Sequence, residues 1–262
     1  MNTLEYQMAD ILKVLKNEYG VFEIKAEFES EGSRMEEMMR LKDLTTYVGL
    51  PIILKIGGVE AVTDIYNSLS LGVKGIIAPM AETPFALSKF LLMVKTMVAE
   101  DNARDIEFAF NLETITGFKN IDAMYKLPEL PILSGVTVGR VDLTGSMGLK
   151  RDAINKSAAV EKICRAIMVK SRKKGLKTGL GGGIAKEALP IITKLFKENL
   201  LDKFETRKVV FPAGACKYGY PAILKALEFE LLWLKSKRRY YSRVKVEDEN
   251  RILMLEKRIT AR

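Results

Sequence analysis

Short apolar runs alternate with longer amphipathic stretches along nearly the whole chain, and few folds accommodate that rhythm. The runs that read as strands cover residues 21–28, 51–56, 75–79, 106–112, 135–139, 176–180 and 208–211. Between them, residues 34–48, 59–71, 84–98, 158–173 and 186–196 carry apolar side chains at helical spacing. Strand and helix in turn, with short links, imply a parallel sheet covered by helices, either doubly wound or closed as a barrel. Seven strands are recognisable, where a complete (β/α)8 barrel has eight, and no segment declares itself as the eighth. A chain of 262 residues suits one barrel-sized domain better than two small ones.

After Tyr220 the rhythm changes to two helix-like stretches, ALEFELLWLKSKRRYY and VEDENRILMLEKRI, the second acidic at its start and basic at its end as a helix dipole favours. Leu231, Leu232, Trp233 and Leu234 are too apolar for a solvated tail, so they either close the barrel's end or dock on a partner subunit, the latter being preferred. The domain reading is therefore a barrel over residues 1–220 and a helical, oligomerising extension over 221–262.

The absence of histidine excludes more chemistry than any other compositional fact. Ser-His-Asp and Cys-His catalysis are ruled out, as is any zinc site that needs imidazole. Proton transfer falls to carboxylates, lysine, tyrosine, water or the substrate, and a metal would be a hard ion on oxygen ligands, Mg²⁺ or Mn²⁺. Cys164 and Cys216 form no CxxC pair, so a reducing cytoplasm is the expected setting. No apolar run reaches the roughly 20 residues of a membrane span, and the N-terminus, charged throughout, reads as neither signal nor anchor. The net charge of +9 is concentrated at residues 171–174 and 235–243. Solvated helix ends explain both clusters, and without an accompanying motif nucleic acid is not expected as a partner.

Lys55, Glu113 and Asp142 each stand at or just past the C-terminal end of an apolar run, the face where barrels and doubly wound sheets alike place ligands. Glu113 ends the strand IEFAFNL, and Asp142 follows GVTVG in the segment GRVDLTGSMG. Two carboxylates at successive strand mouths can share one hard cation, with water and substrate oxygens completing its shell. Alternatively, Glu113 caps the next helix and Asp142 opens a turn; residue types alone leave the two readings even. Lys55 at a barrel mouth is also a candidate Schiff-base lysine. Lys25, Glu27 and Glu29 share one face of the first strand, either at the mouth or in an ion-pair layer within the barrel, with Lys25 and Glu29 expected nearer the site. Glu205 and Arg207 suggest a structural ion pair at the bottom face, and GLGGGIA offers bare amides before a helix.

VGRVDLTGSMG resembles the G-x-x-DL-x-x-x-MG signature of the HpcH/HpaI aldolase and citrate lyase beta-subunit family. GVKGIIAPMAETPFAL, NLETITGFKNID and GLGGGIA resemble further segments of that family, in order, over roughly residues 55–185. The resemblance implies a metal-dependent (β/α)8 barrel with additional C-terminal helices that makes or breaks carbon–carbon bonds beside a carbonyl. Glu113 and Asp142 would hold the Mg²⁺ or Mn²⁺, and the C-terminal helices would pack on a neighbouring subunit. Lys55 stands where the family has an arginine, keeping the charge but losing the bidentate fork. Glu29-Ser30 stands where the aldolase branch has Glu-His, so the citrate-lyase-like branch fits better. Arg140 replaces a small or apolar residue and is a candidate clamp for a carboxylate or phosphate, or else an outward-pointing loop arginine. The expectation is a lyase or aldolase for a small acidic oxo- or acyl-type substrate, with Lys55, Arg140 and Glu29 serving catalysis. A Schiff-base aldolase using Lys55 and a non-catalytic barrel scaffold are the alternatives.

Overall fold

The structure, a computed structural model, describes residues 1–28 and 30–260. Eight strands close a barrel in sequence order: β1 (Glu23–Glu27), β2 (Ile52–Lys55), β3 (Gly75–Ala78), β4 (Glu107–Leu112), β5 (Leu133–Gly139), β6 (Lys177–Gly181), β7 (Lys203–Glu205) and β8 (Val209–Pro212). Helix α1 (Thr3–Tyr19) precedes β1. The others are α2 (Met35–Val48), α3 (Val62–Leu71), α4 (Pro84–Met97), α5 (Glu100–Ala103), α6 (Ile115–Met124), α7 (Arg140–Ser146), α8 (Ala158–Arg172), α9 (Leu189–Lys197) and α10 (Tyr220–Thr260). The barrel with a C-terminal helical addition is thus the architecture the sequence implied.

The eighth strand was hidden because β7 has only three residues, too few to show a period. β7 runs parallel to β6, but β8 pairs antiparallel with both β7 and β1. A parallel neighbour needs a crossover of a dozen or more residues, whereas only Thr206, Arg207 and Lys208 separate these two strands. The link is therefore a hairpin, closed by Thr206 N donating to Val209 O at 3.0 Å and Val209 N to Thr206 Oγ1 at 3.1 Å. Its turn lies at the C-terminal end of β7, which is the mouth of the barrel.

Alternation along the strands makes two cores. Outward-facing Ile24, Leu54, Ile76, Phe110, Val138 and Phe204 join the helices' apolar faces in one continuous cluster. Inside, Ile53, Ile77 and Val210, backed by Ala109, form a small apolar plug. The rest of the interior is polar, including buried Glu23, Lys25 and Glu27 from alternate positions of β1.

The two expected C-terminal helices are one helix of 41 residues, since no breaker separates the two stretches. Its first half packs along α1 and buries Ala222, Ile223, Ala226, Phe229 and Trp233. Trp233 thus lies on the barrel while its neighbours Leu231 and Leu234 stay exposed. Tyr241 donates to Glu37 and Lys237 pairs with it at 2.9 Å, tying the helix to the start of α2. Beyond Tyr241, every described residue except Met254 is exposed.

Candidate functional site

A cavity of about 450 Å³ opens at the mouth. Glu113 follows the last residue of β4, and with Asn111 it shares the inward phase of that strand. Thr114, not Glu113, caps α6, its hydroxyl accepting from Gly117 N at 3.1 Å. Glu113 Oε1 accepts from Met80 N at 3.1 Å and Oε2 from Asn111 Nδ2 at 3.1 Å. Met80 reaches it from the end of β3 with φ of 47°, a left-handed conformation uncommon outside glycine. Burial raises the Glu113 carboxyl, and Asp142 adds like-charge repulsion; Lys55, the Met80 amide and Asn111 oppose without cancelling them. Asp142, exposed in the first turn of α7, lines the same cavity. A glycine at 139 is required by the close approach, since a Cβ there would lie 2.5 Å from Glu113 Oε2.

Lys55 is buried at the end of β2, 3.7 Å from Glu27 Oε2, and within electrostatic reach of Glu113. Glu27 in turn lies 3.0 Å from Lys25 Nζ, and Lys25 donates to Glu205 Oε1 at 2.6 Å. A chain of alternating charge therefore runs round the interior from β7 through β1 and β2 towards β4. Burial works against the Lys25 ammonium, but Glu205 and Glu27 outweigh it and hold its proton more firmly than on an ordinary lysine. Burial likewise opposes ionisation of Glu27, yet Lys25, Lys55 and the Ser30 hydroxyl bring it down to about 2. Lys25 belongs to this interior layer as well as to the cavity floor. Glu29 lies outside the described residues.

Two expectations change. Glu205 and Arg207 are not a bottom-face pair: Glu205 points into the barrel, and Arg207 sits at the mouth, 4.0 Å from Glu27 and Glu31 and 3.9 Å from Glu230. The cause is the unrecognised strand, which carries the segment across the barrel to the opposite end. Arg140 is neither a substrate clamp nor an outward loop residue. It is fully buried, its guanidinium donating to the carbonyls of Gly181, Gly182 and Gly183 and to Asn155 Oδ1. Burial lowers it to about 10, with Cys164 partly opposing.

Sequence reasoning missed Asn111, Arg151, Thr206 and the α10 residues Leu227 and Glu230, all of which line the cavity. Asn111 was within reach of the period-two rule, being two residues before Glu113. Leu227 and Glu230 were not, because only the packing of α10 against the barrel brings them to the mouth.

Among the described residues, no group of three or more acidic, thiol or imidazole side chains gathers at one point. The donor set is the Glu113–Asp142 pair, with Asn111 Oδ1 buried beside it and lacking a hydrogen-bond partner among the described residues. Such all-oxygen donors fit Mg²⁺, which dehydrates reluctantly and commonly takes only one or two carboxylates from a protein.

The fold is shared with solved structures of low sequence identity. An HpcH/HpaI aldolase from Desulfitobacterium hafniense DCB-2 matches with a TM-score of 0.62 at 13% identity, over 89% of this chain and 89% of that one. An HpcH/HpaI aldolase/citrate lyase family protein from Burkholderia cenocepacia J2315 matches with 0.61 at 14% identity, over 94% and 100%. The chain has the HpcH/HpaI aldolase fold. CitE from Mycobacterium tuberculosis, in complex with magnesium, acetoacetate and coenzyme A, matches with 0.53 at 12% identity, over 84% and 77%. No protein-family model matches the chain, and no curated protein matches it by sequence.

Proposed function

We propose that the chain is a divalent-metal-dependent carbon–carbon lyase or aldolase acting on a small oxo-acid or acyl-type substrate. The observation that carries this reading is the pair of carboxylates, Glu113 and Asp142, facing one cavity from the ends of β4 and β5. The shared fold supports it, as does the magnesium in the CitE complex. Glu113 and Asp142 would hold Mg²⁺ or Mn²⁺, which supplies Lewis-acid stabilisation of a developing enolate. Lys55 brings a positive charge to the same wall and orients the acid group. Glu205 Oε2, buried without a hydrogen-bond partner among the described residues while Lys25 fixes Oε1, is set to accept the proton of a substrate hydroxyl. The small acidic carbonyl compound is its expected partner, and two free thiols suit the reducing cytoplasm. Among the described residues no helix is long and apolar enough to cross a membrane.

Calorimetric titration with Mg²⁺ and Mn²⁺, with oxalate present as an enolate mimic, tests the centre. The wild type binds, while Glu113→Gln and Asp142→Asn lose at least tenfold in metal affinity, about 1.4 kcal/mol. Gly139→Ala is expected to do the same by pushing Glu113 aside. Unchanged affinity in all three variants would remove the metal reading.

We also propose that α10 joins a second copy of this chain. Leu224, Leu231 and Leu234 are exposed on its outer face, and Ile252, Leu255 and Ile259 fall in the same heptad frame, with Arg238, Tyr241, Lys245 and Asp248 at the frame positions between them. Two exposed apolar patches in one frame support a helix–helix seam made in two segments.

A further inference from the structure

The role of the buried Arg140 leads to a second binding element. Residues 181–185, the end of β6 and the loop after it, all line the cavity. Their carbonyl side is tied down by one guanidinium: Arg140 Nε donates to Gly181 O at 3.3 Å, and Nη2 to Gly182 O at 2.8 Å and Gly183 O at 3.2 Å. Nη1 donates at 2.8 Å to Asn155 Oδ1, at the end of the 3₁₀ turn Arg151–Asn155. That turn packs on the loop, because a Cβ at Gly183 would lie 3.1 Å from Ile154 Cγ2. Gly182, with φ of 76°, presses against the start of α7, where a Cβ would meet Val141 N at 2.7 Å. Arg140 thus fastens the glycine loop, the 3₁₀ turn and the Asp142-bearing helix into one wall.

The opposite sides of these pieces are unsatisfied. Among the described residues, the amides of Gly182, Gly183, Ile184 and Ala185 donate to no backbone or side-chain acceptor. Consecutive bare amides on a concave wall concentrate partial positive charge. Arg151, on the 3₁₀ turn, is exposed at the same cavity and has no ion-pair partner among the described residues. Two side chains at least nine-tenths buried also present an unpartnered acceptor among the described residues that line this cavity, Asn111 through Oδ1 and Glu205 through Oε2. The cavity therefore asks for a ligand with a negative group at one wall and a hydroxyl at its floor.

We infer that residues 182–185 and Arg151 form an oxyanion subsite that takes a carboxylate or a phosphate group of the ligand. Only the orientation of that ligand rests on the metal-centre reading; the subsite itself stands on the loop and Arg151. Arg140 is a positioning residue, acting through the loop it holds.

Calorimetric titration of the metal-free protein with inorganic phosphate and, separately, with malonate reads the subsite without the metal. Binding of phosphate indicates that it takes a phosphate group, and binding of malonate a carboxylate. Arg151→Gln is expected to weaken the anion that binds by about tenfold, the effect of losing a charged hydrogen-bond donor. Its melting temperature should stay that of the wild type, since the side chain is exposed. Glu113→Gln, which strikes the metal pair, should not weaken the anion, and this separates the two centres. The inference is overturned if neither anion binds the wild type, or if Arg151→Gln binds as tightly as it.

Discussion

Lys25→Met tests whether the interior charge chain holds the barrel together. Lys25 is 7% exposed, and its ammonium lies 2.6 Å from Glu205 and 3.0 Å from Glu27. At an effective dielectric near 20, each contact is worth roughly 6 kcal/mol of attraction, against a desolvation penalty of several kcal/mol per ion. The net value of the intact cluster is therefore small, but removal of the lysine alone takes from Glu205 its ion-pair partner and from Glu27 the nearer of its two lysines. The expected cost is about 3–5 kcal/mol, a fall in melting temperature of about 10 °C for a chain of this size. Methionine keeps the length of the side chain, so a cavity contributes little to that figure. Urea denaturation is the assay, with an unchanged m-value showing that the same surface unfolds. Lys25→Met/Glu205→Gln should recover about 2 kcal/mol, because Glu27 then keeps Lys55 as its partner. A single variant costing under about 1 kcal/mol, or a double variant worse than the sum of the singles, would refute the reasoning.

Glu27 should give the barrel an acid-sensitive element. Its folded value of about 2 lies below the ordinary 4.5, so its stabilisation is present above pH 4.5 and is lost as pH falls towards 2. That contribution is about 3 kcal/mol; Glu23 and Glu230, raised by burial, pull the other way. The difference between wild type and Glu27→Gln, followed by chemical denaturation from pH 6 to 2 (roughly the span of that titration), isolates it, and parallel curves would rule the linkage out. Deleting residues 242–262 should leave the barrel folded, since the buried residues of α10 all precede Tyr241. Sedimentation should then show fewer subunits per particle than for the full chain, and the same number for both would count against the tail as part of the seam.

The alternation of strand and helix was legible because the helices and most of the strands are long enough to show their periods, but those periods fit a doubly wound sheet equally well, and only the resemblance of segments such as VGRVDLTGSMG pointed to a closed barrel. The positions of Glu113, Asp142 and Lys55 were legible for a related reason: a polar residue ending an apolar run lies at the mouth. Local sequence therefore determined most of the elements, which strand ends carry charge, and that histidine chemistry is absent. It did not determine partners between elements. β7 was too short to register, so Glu205 and Arg207 were assigned to the wrong end. Arg140 was two residues from Asp142 and looked functional by proximity, yet a helix turns about 100° per residue and sends the two side chains to different sides. Only closure of the barrel brought Lys25 to Glu205, 180 residues away. Likewise, only packing of α10 on α1 carried Leu227 and Glu230 to the cavity. Such contacts follow from long-range geometry, in which each element's position depends on all the others, and no window of sequence contains that information.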